Sequence, residues 1–243
     1  MIRFTFAVLL LLTSLSGKSQ VLISLLLGDK LNSGEIEFGL DGGMTRSYLE
    51  GVDPSKGLNT FNLGFYFDFK LKKPGWMLNT GVRVKSNVGA QELNVYPLNN
   101  FVLDSAFTGG SITRQMSYFY VPFTMKYTFK NNLYAQAGIQ LGLGYKASDK
   151  FYNTVEDDDD LSYSLNVRNQ YHPLDGGLLA GIGYRITKGL GMNLGVQYYY
   201  GLVDVRISDT TPDVKNRAFY FNVGIPIGKG AAAKQAAKEE QKE

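Results

Sequence analysis

The chain of 243 residues contains no cysteine and a single histidine. Without cysteine there is no disulfide framework, no thiolate metal site, no cysteine nucleophile and no lipid-anchoring cysteine of a lipoprotein. Long apolar runs are missing after Leu27, since no later stretch reaches the ~20 apolar residues that a transmembrane helix needs. The 25 basic and 22 acidic residues leave a net charge of +3 with no basic stripe. Nucleic acid is therefore not an expected partner.

Glycine and aromatic residues are abundant instead, with 28 Gly, 16 Tyr and 15 Phe. Membrane barrels are rich in tyrosine at their lipid interfaces and in glycine at small inward positions and bends. A soluble β-sandwich can also be rich in both residues. Composition alone leaves these two fold classes open.

The segment 61–71, FNLGFYFDFKL, shows the pattern that separates the two classes. Its apolar residues occupy every second position. Successive side chains of a strand point to opposite faces, so this strand has one apolar face and one more polar face. Many consecutive segments carry the same pattern, and no helical segment is available to cover them. A closed barrel with apolar faces toward lipid and polar faces toward its interior fits this arrangement.

Eight segments share the alternation, which satisfies the even strand number of bacterial outer-membrane barrels. None of the outward positions assigned in them is charged, in keeping with a cost of ~2–4 kcal/mol for a Lys or Arg that faces lipid at the bilayer midplane. The predicted strands are 35–47, 61–71, 76–87, 116–129, 133–146, 177–187, 192–203 and 217–227.

The connections between these segments alternate between long and short. The long ones are 48–58, 88–115, 147–176 and 204–216, and the short ones are 72–75, 130–132 and 188–189. Outer-membrane barrels have short periplasmic turns and long external loops, whereas a sandwich has no reason to sort its loops in this way. The sequence therefore predicts an all-β fold: an eight-stranded antiparallel up-and-down transmembrane β-barrel in the outer membrane, with both termini periplasmic.

The two ends of the chain differ from the barrel segment 35–228. Residues 1–19 are typical of a secretory signal, with Arg3 before the apolar run 4–12 and small residues near a cleavage site within 17–21. Residues 20–34 are interpreted as a short periplasmic or interfacial segment, although their apolar part could also extend the signal. The Lys/Ala/Glu-rich tail 229–243 favours a solvated helix or disorder, with anchoring to a periplasmic partner as the alternative.

Three segments carry a resemblance to a known family: 34–43 (GEIEFGLDGG), 118–127 (YFYVPFTMKY) and the final strand. Together they resemble the PorT-like outer-membrane β-barrels of Gram-negative bacteria, over about residues 34–228. The aromatic-X-Val-Pro-aromatic part of 118–127 is the most characteristic piece. The resemblance implies the barrel fold, and for the role it implies only an association with protein secretion, by analogy. The chain departs from the usual pattern of barrel proteins at one point, because its last strand ends at Ile227-Gly228 rather than on an aromatic residue.

Charged residues on the inward faces are the first candidates for a functional site. An eight-stranded barrel is just wide enough for its own side chains to fill it, and unpaired buried charges are costly. We therefore expect Glu37 and Asp68 to pair with Lys126 and Arg185 and to plug the lumen. The alternative is a narrow ion path. The candidate network comprises Glu37, Asp41, Asp68, Arg83, Lys126 and Arg185, with Lys85 and Lys146 inward near the long-loop end.

The acidic run Asp157, Asp158, Asp159 and Asp160 lies in the third long loop. Dense carboxylates could bind Ca²⁺ or bridge divalent ions to lipopolysaccharide, but the run lacks the alternate spacing and turn glycine of an EF-hand. We interpret it as a solvated tip and expect no metal and no cofactor.

His172, with Ser162, Ser164 and Asp175 nearby in sequence, raises the possibility of a lipid hydrolase or acyltransferase. However, His172 precedes a proline in a loop, and no Gly-X-Ser-X-Gly elbow is present. We therefore expect no enzyme. Outward aromatics near strand ends are interpreted as an interfacial girdle, with carbohydrate stacking as the alternative. They are Trp76, Tyr127, Phe129, Tyr145, Tyr184, Tyr198 and Tyr200.

The predicted role is structural, surface-interacting or secretion-associated, with the second and third long loops as the contact surface. Its expected partners are outer-membrane lipids and lipopolysaccharide, and a protein bound through the external loops or the tail. A narrow porin-like channel is the main alternative, and a lipid-modifying enzyme is a further one.

Overall fold

The computed structural model describes residues 35–154, 161–187, 191–208 and 212–227. The predicted signal 1–19, the segment 20–34 and the tail 229–243 lie outside the described residues. The described chain is almost entirely strand, with one short helix, α1 (Phe101–Ala106), and a 3₁₀ turn at Arg168–Gln170. The strands are β1 (Ile36–Glu50), β2 (Lys56–Lys70), β3 (Trp76–Leu93), β4 (Ser111–Thr128), β5 (Leu133–Asn153), β6 (Leu161–Asn166), β7 (Leu174–Arg185), β8 (Asn193–Gly201) and β9 (Lys215–Pro226).

Eight of the strands form a closed antiparallel ring. Each pairs with its sequence neighbour, β5 pairs with β7, and β9 returns to β1 through a register that joins Met44 to Phe221. The prediction of an eight-stranded antiparallel up-and-down barrel is confirmed. No helix among the described residues has the length and apolar character needed to cross a membrane.

The sequence did not predict β6, which among the described residues pairs with β5 alone and lies outside the ring. Three ring strands also run further than the alternation indicated. β3 continues to Leu93, β4 begins at Ser111 and β5 continues to Asn153. The long second connection is correspondingly shorter, and it contains α1. The side chain of Asn100 caps this helix by accepting hydrogen bonds from the backbone amides of Val102 and Leu103.

Two β-bulges explain why the ends of β3 and β5 were misplaced. In β3 the register passes from Leu63↔Lys85 to Gly64↔Arg83, so Val84 is the extra residue. In β5 it passes from Ser117↔Lys146 to Tyr118↔Gly144, so Tyr145 is extra. A bulge places two residues opposite one and reverses which positions face inward. Beyond the bulges of β3 and β5, apolar residues keep their parity in the sequence but turn to the inside. In β4 the inward parity does not change, and the apolar residues Ile112 and Met116 occupy inward positions.

The bulges divide the barrel into two regions. In the belt region, between the short turns and the bulges, large apolar side chains are exposed on the outer face, including Phe65, Phe123, Ile139 and Phe221. In the projecting region, the upper parts of β3, β4 and β5 together with β6 and α1, the apolar side chains face inward. Val88, Ile112 and Phe151 are fully buried there.

The prediction that Lys85 and Lys146 face inward is wrong. Both are exposed, and the Lys85 Nζ lies 6.0 Å from the centroid of the outward Phe61 ring. Each lysine directly follows the extra residue of a bulge, which turns it from the inner to the outer face. The outward aromatics Trp76, Phe129, Tyr145, Tyr184, Tyr198 and Tyr200 are exposed, and Tyr127 is half-buried between Trp76 and Phe129.

Candidate functional site in the barrel lumen

A buried ion pair crosses the lumen near the short-turn end. Lys126 Nζ lies 2.7 Å from Asp68 Oδ2, and the side chains are 4% and 0% exposed. The Asn79 amide donates to the other carboxylate oxygen at 2.6 Å. The lysine ammonium also lies 4.4 Å from the centroid of the Tyr134 ring. Asp68 is therefore satisfied on both oxygens, as a buried carboxylate requires.

Glycine makes room for Tyr134 across this layer. A Cβ on Gly183 would lie 2.3 Å from the tyrosine ring, and one on Gly195 would lie 2.3 Å from its hydroxyl. The hydroxyl donates to the carbonyl of Leu194 at 3.2 Å. Inward glycines on β7 and β8 thus let a tyrosine from β5 close this part of the lumen.

A second ion pair at the same end joins Glu37 and Arg185. The Tyr66 hydroxyl donates to Glu37 at 3.1 Å and accepts from the Asn193 amide at 3.3 Å. The structure thus places Asp68 with Lys126 and Glu37 with Arg185, so both layers near the short turns carry charges of both signs.

Arg83 occupies the middle of the lumen. Its guanidinium donates to the side-chain oxygens of Gln140 and Gln197 and lies 4.2 Å from the centroid of the Tyr220 ring. The nearest carboxylate is Asp41, at 4.0 Å from Nε, and Asp41 accepts from Asn222 at 2.9 Å. Arg83 thus spans the lumen and joins side chains of β5, β8 and β9.

A tyrosine layer centred on Asp175 lies above Arg83, and sequence reasoning missed it. The Asp175 carboxylate accepts from the hydroxyls of Tyr120 and Tyr199 at 2.7 and 2.9 Å, and from the Asn216 amide at 2.8 Å. Gly142 admits Tyr120, since a Cβ there would lie 2.4 Å from the ring. The sequence signal that could have revealed this layer is that Tyr120 and Tyr199 both occupy inward positions on their strands.

The projecting region closes the long-loop end with a mostly apolar core. Its polar centre is a bidentate pair in which Arg114 donates to both oxygens of Asp149 at 2.7 and 2.6 Å, and the Tyr96 hydroxyl donates to the same carboxylate at 2.9 Å. Burial raises the pKa of Tyr171 to about 12, so its phenol stays neutral beside Arg114. The surrounding buried residues are Leu49, Val88, Leu93, Phe107, Ile112, Met116, Phe151, Val167, Val205 and Val214.

The space left within the lumen is small. A cavity of about 40 Å³ lies between the short-turn layers and Arg83, bordered by Asp41, Lys126, Gln136 and Asn193. That volume accommodates roughly three water molecules. The Nε2 of Gln136 and the Oδ1 of Asn193 are buried and have no hydrogen-bond partner within the described part of the chain. A cavity of this size can hold a few waters.

The other sequence candidates do not come together as a catalytic site. His172 is exposed, Ser162 and Ser164 lie on the exposed face of β6, and Asp175 is buried among tyrosines inside the barrel. The acidic run Asp157, Asp158, Asp159 and Asp160 lies outside the described residues. Within the described ranges, no group of three His, Asp or Glu side chains is arranged to hold a metal ion.

A closed ring of eight strands, with apolar side chains on its outer belt and polar side chains within, is the architecture of an outer-membrane β-barrel. The sequence matches the family described as outer membrane protein beta-barrel domain over residues 28–206. The chain belongs to this family. Its apolar belt therefore faces lipid, and the protein resides in the outer membrane.

Several solved structures are similar at low identity. Ail, the attachment invasion locus protein of Yersinia pestis, is 15% identical with a TM-score of 0.38, over 79% of this chain and 99% of Ail. Neisserial surface protein A is 12% identical with a TM-score of 0.38, over 79% and 96%. OprG from Pseudomonas aeruginosa is 13% identical with a TM-score of 0.34, over 79% and 93%. No curated protein matches the chain. Likeness at this level gives no information about whether the activities are shared.

Proposed function

We propose that this protein is a solute-tight outer-membrane scaffold without enzymatic activity, whose long-loop end contacts a partner protein outside the cell. The observation that carries the proposal is the filled lumen. Two ion-pair layers, Arg83, the Asp175 layer and the apolar core follow one another along the barrel. Side chains that fill the lumen in this way support a role carried by the exposed ends of the barrel rather than by a solute path.

The long-loop end offers the better contact surface. β6 pairs with β5 through the register Lys150↔Ser164, and among the described residues its second edge has no neighbouring strand. Natural edge strands are usually protected by Lys, Pro or a bulge. β6 has none of these: Ser162, Ser164 and Asn166 are exposed, while Leu161 and Leu165 are partly buried against the core. An extended segment of a partner could add to this edge by strand pairing.

The orientation and the narrower family relationship are parts of the same proposal. Short turns and both ends of the ring lie on one side, as expected when they face the periplasm. The PorT-like resemblance of segments 34–43 and 118–127 supports a secretion-associated scaffold by analogy. This orientation predicts that Ser162 and Ser164 lie outside the cell and that Gly75 lies in the periplasm.

Conductance of the purified chain in planar bilayers tests the closed lumen. We expect no steady conductance from the wild-type protein. A steady conductance that is abolished by changing Arg83 or Lys126 would instead identify a narrow channel and contradict the proposal.

Crosslinking in intact cells tests the partner surface. A photoreactive residue at position 164, on the free edge of β6, is expected to capture a specific protein. The same residue at position 113, on the outer face of β4, is the matched control and is expected to capture none. Equal products from both positions, or none from position 164, would contradict partner binding at β6.

A further inference from the structure

The open edge of β6 carries unpaired backbone groups at alternate residues. At the end of the β5–β6 ladder the Val167 amide donates to the carbonyl of Ala147 at 3.0 Å, which makes this a hydrogen-bonded pair. Hydrogen-bonded and non-hydrogen-bonded pairs alternate along an antiparallel ladder. Counting back through the register, the residues whose amide and carbonyl groups point away from β5 are Ser162, Ser164 and Asn166. Within the described ranges no strand pairs with them on that side.

This edge is complementary to a second copy of itself. An antiparallel copy centred on Ser164 would place Ser164 opposite Ser164, and Ser162 opposite Asn166. All three side chains are exposed and neutral, so no like charges would face each other. On the inner face, Tyr163 of one copy would lie opposite Leu165 of the other, and both are only partly buried against the projecting core.

The number of backbone hydrogen bonds selects the centre of such a pairing. With Ser164 at the centre, each of the three residues with open backbone groups meets one of the same kind, which gives three pairs with two bonds each. A centre at Tyr163 or Leu165 would leave one of the three without a partner in the described strand. The pairing with the most backbone bonds is therefore symmetric about Ser164.

The symmetry of this pairing fixes how the two barrels face each other. A two-fold axis that joins antiparallel edge strands into one continuous sheet runs perpendicular to the sheet. The wall of a barrel stands along the membrane normal, so this axis lies in the membrane plane. Rotation about it turns the second barrel upside down. The second copy must therefore project from an opposing membrane, since two copies in one membrane have the same orientation.

We propose that β6 pairs with β6 of a second copy in an opposing outer membrane, so that the protein bridges two membrane surfaces. The inference rests on the proposed contact role of the long-loop end and names a copy of this chain as its partner. Ser164 lies opposite Lys150, which is five residues, or ~17 Å along the strand, beyond the bulge residue Tyr145. The edge thus stands clear of the apolar belt, where another copy can reach it.

Single cysteines test the register in the full chain, which has no cysteine of its own. Each variant is purified at one copy per nanodisc, so that two copies meet only when two discs meet, and is then oxidised. With Ser164 on the axis, the two Cα atoms at this position lie ~5.5 Å apart, within the range of a disulfide. We expect S164C to form covalent dimers, and electron micrographs to show the paired discs stacked face to face.

S162C is the matched control, because Ser162 is also an exposed serine on the outer face of β6. In the proposed register the two copies of Ser162 are four positions apart, or ~14 Å, which is too far for a disulfide. S162C and N166C should therefore form no dimers alone but should crosslink when mixed. Equal dimer yields from S162C and S164C, no dimer from S164C, or discs joined side by side would overturn the proposal.

A proline at the centre of the pairing provides a test that does not depend on thiols. Ser164→Pro removes an amide that points to the open edge, so the β5–β6 bonds are retained. Because Ser164 pairs with itself, the variant loses two hydrogen bonds between copies. Self-association of the discs, measured by sedimentation, should weaken about 30-fold, the factor for two bonds at ~1 kcal/mol each. Unchanged self-association in S164P would contradict pairing at this edge.

Failure of the membrane bridge is distinguishable from failure of the proposed function. If position 164 captures a different protein in cells and the discs do not self-associate, the bridge is overturned and the scaffold role is retained. If the discs pair as expected but the purified chain conducts steadily, the closed-lumen scaffold is overturned and the pairing is retained. The nanodisc measurements depend neither on orientation in cells nor on lumen closure.

Discussion

The belt region and the projecting region are built from the same strands but have opposite polarity. In the belt region, Asp68 is fully buried inside while Phe65 is 40% exposed outside. In the projecting region, Val88 is fully buried inside while Gln115 lies on the outer face. The difference shows that the solvent around each region decides which side chains turn inward. Lipid surrounds the belt, and water surrounds the projection.

The two regions are consequently stabilised by different interactions. Burial of apolar surface away from water contributes ~25 cal/mol per Å² in the projecting region. The outer face of the belt gains nothing comparable, because its apolar side chains contact lipid instead. There the closed hydrogen-bond ladder and the satisfied lumen pairs hold the fold. The same kind of substitution should therefore cost different amounts of stability in the two regions.

The largest expected effect comes from breaking the lumen pair. Asp68→Ala leaves the Lys126 ammonium buried without its carboxylate. We expect the free energy of unfolding, measured by urea titration in detergent micelles, to fall by about 3–5 kcal/mol, since an unpaired buried charge is strongly destabilising.

The double variant D68L/K126M is the control for this experiment. It removes both charges and retains side-chain volume, so it should lose much less than D68A, because a buried pair gains little over well-packed apolar residues. A loss of under about 1 kcal/mol in D68A, as is usual for exposed pairs, would mean that Lys126 reaches water in the lumen.

The second largest expected effect is the cost of an arginine on the outer face, which should be high in the belt region and low in the projecting region. Ile139→Arg faces lipid at the middle of the β5 belt and should cost about 2–4 kcal/mol in a vesicle unfolding titration. Gln115→Arg, on the outer face of the projecting region, should change stability by about 0.5 kcal/mol or less. Similar costs for both variants would contradict the conclusion that lipid surrounds the belt region and water surrounds the projecting region.

The smallest expected change in stability comes from removing a single methylene group from isoleucine. Ile112→Val removes it from the dry projecting core and should cost about 0.5–1.5 kcal/mol. Ile182→Val removes it from the belt, where Ile182 is 69% exposed and lipid chains can fill the space. That variant should remain close to the wild type in the same titration. If the ranking is reversed, the projecting core is not tightly packed.

Sequence alternation predicts the ring but not the projecting region. Every belt strand places apolar residues outward at constant parity, so the eight strands could be located from their pattern. In β3 the apolar parity of Val82 and Val84 continues at Val88, although a bulge has turned Val88 inward. A bulge is set by pairing with the neighbouring strands, and single-strand periodicity contains no signal for it.

The lumen could be predicted as a set of charges of both signs that pair, but not which carboxylate meets which cation. Inward parity selects Asp68 and Lys126, but their pairing depends on a register that spans β2, β3 and β4. Asp175 stands next to His172 and two nearby serines in sequence, which suggested a catalytic carboxylate. In the structure it faces Tyr120 and Tyr199, whose inward positions on β4 and β8 become neighbours only when the barrel closes.

Because the chain has no cysteine, a single engineered cysteine can report each position of β5 through an attached spin label. The decisive measurement is the accessibility of labels at successive positions from 135 to 152 to oxygen, which dissolves in lipid, and to a water-soluble nickel reagent. We predict that odd positions face lipid up to 145, and that beyond the bulge positions 146 and 150 face water while 147, 149 and 151 are protected. An alternation that continues through 150 without this reversal would contradict the account.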